Sequence, residues 1–174
     1  EGIWPIAERG VSYNSYLVVG EKKALIDLAS GAQTLAYLQQ IRDVLDPADL
    51  DYIVLNHMEP DHTGAVRLLY ELAPKAQFLM TAKAAPMMQS FYGIGERVRV
   101  VIDGEQLSLG GKTLQFHAVP FVHWPETMVT YEAISGVLFA CDAFGGYGAL
   151  RGGIFDDEYA DLSDFIDEAL RYYV

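Results

Sequence analysis

Between Tyr16 and Met80 the chain alternates short apolar runs with helical runs, and this alternation restricts the fold more than any other feature. Ser15–Val19 and Ala24–Leu28 are β-branched and apolar segments joined by the polar turn Gly20-Glu21-Lys22-Lys23, which predicts a hairpin. Leu35, Leu38, Ile41, Val44 and Leu45 follow at helical spacing and stop at Asp46-Pro47, where proline cannot continue a helix. Asp51–Leu55 reads as a buried strand, Val66–Ala73 as a helix closed by Pro74, and Gln77–Met80 as another strand. Such a β-α-β-α-β order predicts an α/β domain with helices packed on sheet faces.

After a weaker helix around Pro86–Phe91 the pattern changes. Val98–Ile102, Gln106–Leu109, Lys112–Val119, Met128–Tyr131 and Val137–Ala140 are short strands separated by Asp-Gly, Gly-Gly and Ser-Gly pairs, which predicts a second, largely antiparallel sheet. Leu162, Phe165, Ile166, Ala169, Leu170 and Tyr173 give a last helix, with Asp161 placed to accept hydrogen bonds from its first-turn amides. The acidic run Asp156-Asp157-Glu158 reads as the solvated entry to that helix, which carboxylates favour electrostatically, in preference to a calcium loop.

The 174 residues suffice for one packed domain. With 24 Asp+Glu against 12 Lys+Arg and a formal charge of −12, the surface would repel nucleic acid and anionic lipid, so neither is an expected partner. No apolar stretch reaches the roughly 18 residues of a membrane span, and no positively charged segment precedes an apolar core, so a soluble, unsecreted chain is the expectation. Cys141 is the only cysteine, so no internal disulfide can form and a cytoplasmic location is expected.

Chemistry concentrates in Asn56-His57-Met58-Glu59-Pro60-Asp61-His62-Thr63-Gly64, where four potential metal ligands fall within six residues directly after a buried strand. In open α/β folds ligands gather at the carboxyl ends of strands. His123 follows the strand Lys112–Val119, and Asp142 lies two residues beyond Val137–Ala140. If these strand ends share one edge, His57, Glu59, Asp61, His62, His123 and Asp142 converge as three imidazoles and three carboxylates. That set exceeds one tetrahedral ion and suits two ions sharing a bridging carboxylate. Nitrogen and oxygen donors without thiolate point to iron, manganese or zinc, and the carboxylates tilt the choice to iron. A zinc pair doing hydrolysis is the chemical competitor.

Other residues have plainer readings. His117, between Phe116 and Ala118, reads as a hydrogen-bonded structural residue, and Cys141 as a small packing residue with no dedicated activating base. Trp124-Pro125 would stiffen the His123 loop and shield the metals. Tyr13 and Tyr147 are candidate pocket-lining groups, and Asn56 and Thr63 candidate residues for orienting ligands. The glycines from Phe144 to Gly153 lack the order of a phosphate-binding loop.

His57-x-Glu59-x-Asp61-His62, then His123-Trp124-Pro125 and Asp142-Ala143-Phe144-Gly145, resemble the metal domain of the flavodiiron proteins, whose fold is metallo-β-lactamase-like. Ser12-Tyr13-Asn14-Ser15-Tyr16-Leu17 and Phe155-Asp156-Asp157-Glu158 extend the resemblance over essentially the whole chain, residues 1–174. The glycine-rich segment 146–153 is also similar to related oxygen-binding di-iron proteins. Hydrolases of the superfamily usually carry histidine where Glu59 stands; its di-iron members carry glutamate.

The resemblance implies an αβ/βα sandwich of two sheets flanked by helices, incomplete at its C-terminus. It implies two iron ions, with zinc or manganese as alternatives: His57, Glu59 and His123 on one, Asp61 and His62 on the other, and Asp142 bridging. The family adds one more histidine from a Ser-His-Gly-like segment that has no counterpart here, and the flavodoxin-like FMN domain is expected on a separate domain or chain. Lower metal occupancy is therefore expected at the Asp61 and His62 site. The implied activity is reduction of O2 to water or of NO to nitrous oxide, with electrons from FMN or a rubredoxin-type donor, in a head-to-tail homodimer. Reversible oxygen binding or sensing, and zinc-dependent hydrolysis, are the alternatives.

Overall fold

A computed structural model describes residue 10, residues 12–145, residue 149 and residues 152–173. The chain divides into two compact units, one of residues 13–141 and one of residues 1–12 with 142–174.

The larger unit carries both sheets. The first has the order β1-β2-β3-β4-β5, from β1 (Tyr16–Val19), β2 (Lys23–Ile26), β3 (Tyr52–Val54), β4 (Gln77–Met80) and β5 (Val98–Val100). β1 and β2 form the antiparallel hairpin, with Tyr16 opposite Ile26, and every later pairing is parallel. Parallel neighbours need crossovers long enough for helices. These are α1 (Thr34–Arg42) between β2 and β3, then α2 (Pro60–Thr63) and α3 (Val66–Leu72) between β3 and β4, and α4 (Ala84–Tyr92) between β4 and β5. The second sheet is an antiparallel meander of β6 (Gln106–Ser108), β7 (Thr113–Ala118), β8 (Met128–Glu132) and β9 (Val137–Phe139).

The alternating side chains of the first sheet feed two cores. Leu25, Ile53, Phe78 and Met80 pack with Ile41, Val66, Leu69 and Met88 from the helices. The opposite set, Ala24, Ile26, Tyr52, Val54 and Leu79, packs with Leu107, Leu114, Phe116 and Met128 of the second sheet. The expected pair of sheets packed face to face is present, and within the larger unit the helices cover the outer face of the first sheet. Full burial of a side chain such as Phe78 or Phe116 contributes about 1.5–3 kcal/mol.

Two local expectations differ. The first helix ends at Arg42, and its buried stripe is Tyr37, Leu38 and Ile41, while Leu35 and Val44 are exposed. Leu35 lies in the first turn, off that stripe, and Val44 lies beyond the helix end. The ligand-rich segment after β3 is also more ordered than a loop, since Pro60 fits the first helical turn and α2 forms over Asp61, His62 and Thr63.

The smaller unit contains a 3₁₀ turn at Asp156–Glu158 and helix α5 (Ser163–Tyr173). Glu158 accepts the amides of Ile154 and Phe155, and Asp161 accepts the amide of Ser163 at 2.9 Å. Within the acidic run, Glu158 therefore serves chain-turning hydrogen bonds before the helix. Tyr147 and most of the glycine-rich segment lie outside the described residues.

Candidate metal centre

The centre is built where β3 leaves the sheet. Asn56 is fully buried and fixes the exit point: Asp27 Oδ1 accepts its backbone amide at 2.8 Å and Asp27 Oδ2 its side-chain amide at 3.0 Å. Thr130 Oγ1 donates to Asn56 Oδ1 at 2.7 Å, and the amide of Met128 donates to the Asn56 carbonyl at 2.9 Å. These bonds tie the exit of β3 to β8 of the second sheet. Burial drives the Asp27 carboxyl up to about 6, with the nearby His62 and the Asn56 hydrogen bonds opposing that rise.

His57 follows, completely buried, and Glu59 stands two residues on, at the entrance to α2. Thr63 Oγ1 donates to the Glu59 carbonyl at 3.0 Å and meets the Tyr92 hydroxyl, which anchors the turn to α4. The His62 carbonyl accepts the Leu28 amide at 3.0 Å. Gly64 closes α2 against Gly31, where any Cβ would stand 2.1 Å from the Gly31 nitrogen. Asn56 and Thr63, expected to orient ligands, fasten the backbone on either side of His57 and Glu59.

His123 comes from the β7–β8 connection, residues 119–127, whose ends are held by Val119 N–H to Thr127 O and Phe121 N–H to Trp124 O. The Val122–His123 peptide is cis. Three donors converge here. Glu59 Oε2 lies 3.3 Å from His57 Nε2 and 3.0 Å from His123 Nε2. Around an ion about 2.1 Å from each donor, adjacent ligands stand about 3.0 Å apart in octahedral and about 3.4 Å apart in tetrahedral geometry. The spacing of Glu59 from each histidine nitrogen therefore suits ligands that share one metal ion.

Asp61 and His62 pair with each other, while among the described residues the cluster of possible donors around His62 includes Cys141 and not Asp61. His62 Nε2 faces Asp61 Oδ2 at 3.6 Å, and the His57 and His62 rings are 5.6 Å apart between centroids. His62 Nδ1 faces Cys141 Sγ at 3.6 Å, a contact absent from the packing role read for Cys141. Tyr13 meets His62 edge-on at 6.5 Å. Trp124 packs edge-on against His57 at 5.0 Å and lies 6.1 Å from His123, covering the buried imidazole. His117 is half-exposed on β7, opposite Asp103, and belongs to none of the metal-ligating clusters among the described residues. Asp142 follows Cys141 directly, at the start of the second segment of the smaller unit, where its carbonyl accepts the Gly145 amide at 3.0 Å.

Sequence reasoning missed Glu126. Its carboxylate is buried, 2.8 Å from His57 Nδ1 and 3.0 Å from the Met58 amide. Burial raises its carboxyl, but the hydrogen bonds from His57 and Met58 outweigh that and leave it below the usual value. It lies 69 positions from His57 in sequence, so no local spacing announces the pair.

Residues 11–170 match the family model described as ODP family beta lactamase. The chain belongs to this family. It is 39% identical over 167 residues to the anaerobic nitric oxide reductase flavorubredoxin of Salmonella arizonae, covering 95% of this chain and 34% of that protein. The rubredoxin oxygen:oxidoreductase of Desulfovibrio gigas superposes with a TM-score of 0.90 at 32% identity, over 99% of this chain and 43% of that one. The flavodiiron protein of Giardia intestinalis does so with a TM-score of 0.85 at 31% identity, over 95% and 40%. The metallo-β-lactamase-like domain of the flavodiiron proteins is therefore the family fold of this chain, which spans less than half the length of each of these relatives. No helix among the described residues is long and apolar enough to cross a membrane.

Proposed function

We propose that residues 1–174 form the metal-binding part of a di-iron oxidoreductase that reduces O2 to water, NO to nitrous oxide, or both. The observation that carries this reading is the placement of Glu59 Oε2 within 3.3 Å of both His57 Nε2 and His123 Nε2. A carboxylate at that point adds negative charge to a two-histidine site and favours iron over a purely hydrolytic zinc centre. The names of the relatives, a nitric oxide reductase flavorubredoxin and a rubredoxin oxygen:oxidoreductase, support the same chemistry.

In this reading His57, Glu59 and His123 would hold one iron, Asp61 and His62 would hold the other, and Asp142 would be shared between them. An iron pair bound there would supply the redox chemistry for reducing a diatomic gas. The chain's own residues set its surroundings. Trp124 and the buried ring of His57 keep bulk water from one side, and Glu59, one-third exposed, faces the open side. His123 has a side chain also about one-third exposed and gives the same side a ligand that solvent and small gases reach.

Electrons would come from FMN on a flavodoxin-like domain or from a rubredoxin-type donor. A head-to-tail homodimer would bring such a domain to the metal pair, and the lone cysteine fits a reducing cytoplasm. The test is metal analysis coupled to turnover. We expect iron as the dominant metal, and consumption of O2 or NO once a flavin donor and reductant are supplied. Stoichiometric zinc, with no gas consumption after iron loading, would overturn the reading.

A further inference from the structure

We propose that Glu126 is the positioning residue of the metal centre: it keeps the proton of His57 on Nδ1, so that Nε2 is the ligating nitrogen, and its buried negative charge strengthens that nitrogen as a donor. This rests on the metal-binding reading above and concerns a residue that contributes no donor to the metals.

The His57 ring has no exposed atom, so both nitrogens must be satisfied from within the protein. Nε2 faces Glu59, and among the described residues two acceptors stand near Nδ1. Glu126 Oε1 stands at 2.8 Å. Thr127 Oγ1 stands at 3.5 Å and gives its own hydrogen to the Trp124 carbonyl. The nearer, charged acceptor decides the tautomer, because a charge-assisted bond is shorter and roughly twice as strong as a neutral one.

Hydrogen bonding alone does not explain a carboxylate here. Oε1 takes both the His57 and the Met58 donors, while Oε2 is buried with no hydrogen-bond partner among the described residues. Burying an ionised oxygen without a partner is costly. A glutamine would offer the same Oε1 without burying a charge. What glutamate adds is the charge, directed through the imidazole at Nε2. Metal-bound histidines commonly donate their other N–H to a carboxylate, which fixes the ring and raises its basicity. The loop holds Glu126 firmly in place, because the Glu126 carbonyl accepts Thr81 Oγ1 at 2.9 Å and Met128 is bonded to Asn56.

The test compares wild type, Glu126→Gln and Glu126→Asp, using zinc(II) and cobalt(II) as probe metals so that the readout is independent of gas reduction. Dissociation constants come from chelator competition, and stability of the metal-free proteins from urea unfolding. Glu126→Gln keeps the acceptor and removes the charge, so metal affinity should fall roughly 10- to 100-fold while the metal-free urea midpoint stays at or above that of wild type. Glu126→Asp, which keeps the charge, should recover part of the affinity. Long-range proton–nitrogen NMR of zinc-loaded wild type should show His57 protonated at Nδ1 and bound through Nε2, a readout that survives if a variant fails to fold. Wild-type affinity in Glu126→Gln, or zinc on His57 Nδ1, would overturn the proposal. If zinc binding behaves as expected but iron-loaded protein consumes neither O2 nor NO, the reductase reading fails and the role of Glu126 stands. Wild-type protein that takes up neither probe metal overturns both.

Discussion

Asp27 grips Asn56 with both carboxylate oxygens, one on the backbone amide and one on the side-chain amide, one residue before the buried His57. Asp27 has a positive φ of 51°, a conformation that aspartate and asparagine adopt more readily than most residues. The strand β2 thus ends in a turn whose side chain reaches sideways to hold the end of β3. This clamp, and not the metal-ligand loop by itself, fixes where the loop begins.

The clamp gives the metal-free protein a signature in pH. Burial raises the Asp27 carboxyl from 3.8 to about 6, so the folded state favours its protonated form. Its stabilising contribution is complete below pH 3.8 and is lost as pH rises through about 6, a change on the order of 3 kcal/mol. Asp27→Asn tolerates the same φ and cannot ionise. Urea unfolding of the two metal-free proteins between pH 4 and 7 should show wild type losing stability relative to Asp27→Asn. Parallel curves would remove Asp27 as the origin.

Glu132 behaves in the opposite sense. Its carboxylate accepts the Ser135 hydroxyl and amide and the amides of Thr113 and Ile134, closing the β8–β9 turn onto β7. The Ser135 hydrogen bond is the largest influence, and together these bonds lower the carboxyl from 4.5 to about 2. The stabilisation is present above pH 4.5 and disappears as pH falls through about 2. Glu132→Gln should therefore be less stable than wild type at pH 6 and converge with it near pH 2. A constant gap across that range, measured by thermal or urea unfolding, would contradict this assignment.

Gly64 tests the packing beneath the ligands. Its φ of −60° is ordinary, so backbone freedom is not the reason for glycine. The reason is space, because a Cβ would overlap the Gly31 nitrogen at 2.1 Å and the Gly31 Cα at 2.7 Å. Gly64→Ala must push α2 away from residues 30–31, at about 1–3 kcal/mol. It should also weaken metal binding, since Asp61 and His62 ride on α2. Unchanged melting temperature and metal content would show that the contact relaxes freely.

The strands of both sheets were legible in the sequence because each is a short apolar or alternating run bounded by glycine, proline or acidic turns, and the β-α-β order dictated the parallel pairing of β2 through β5. The ligand segment stood out because four donors crowd into six residues after Leu55. What stayed hidden depends on contacts between distant segments. Glu126 meets His57 across 69 positions, Asp27 meets Asn56 across 29, and Cys141 meets His62 across 79. Leu35 was misplaced for a local reason: helical periodicity marks a stripe only once the first residue of the helix is known, and α1 begins at Thr34.

His123 and His117 form a matched pair for the metal reading itself. Both side chains are partly exposed, at 36% and 44%, so truncating either leaves no closed cavity and should change metal-free stability by less than about 0.5 kcal/mol. They differ in what they face. His123 Nε2 lies 3.0 Å from Glu59 Oε2, whereas His117 Nδ1 lies 3.9 Å from Asp103 at the far side of β7. His123→Ala removes one of three converging donors and should raise the dissociation constant for zinc or cobalt at least as much as losing a supporting residue does, roughly 100-fold. His117→Ala should bind metal as wild type does. Chelator competition on the two variants, with urea unfolding as the control for folding, decides the matter: equal losses in both, or in neither, would show that the His57, Glu59 and His123 cluster does not hold the ion.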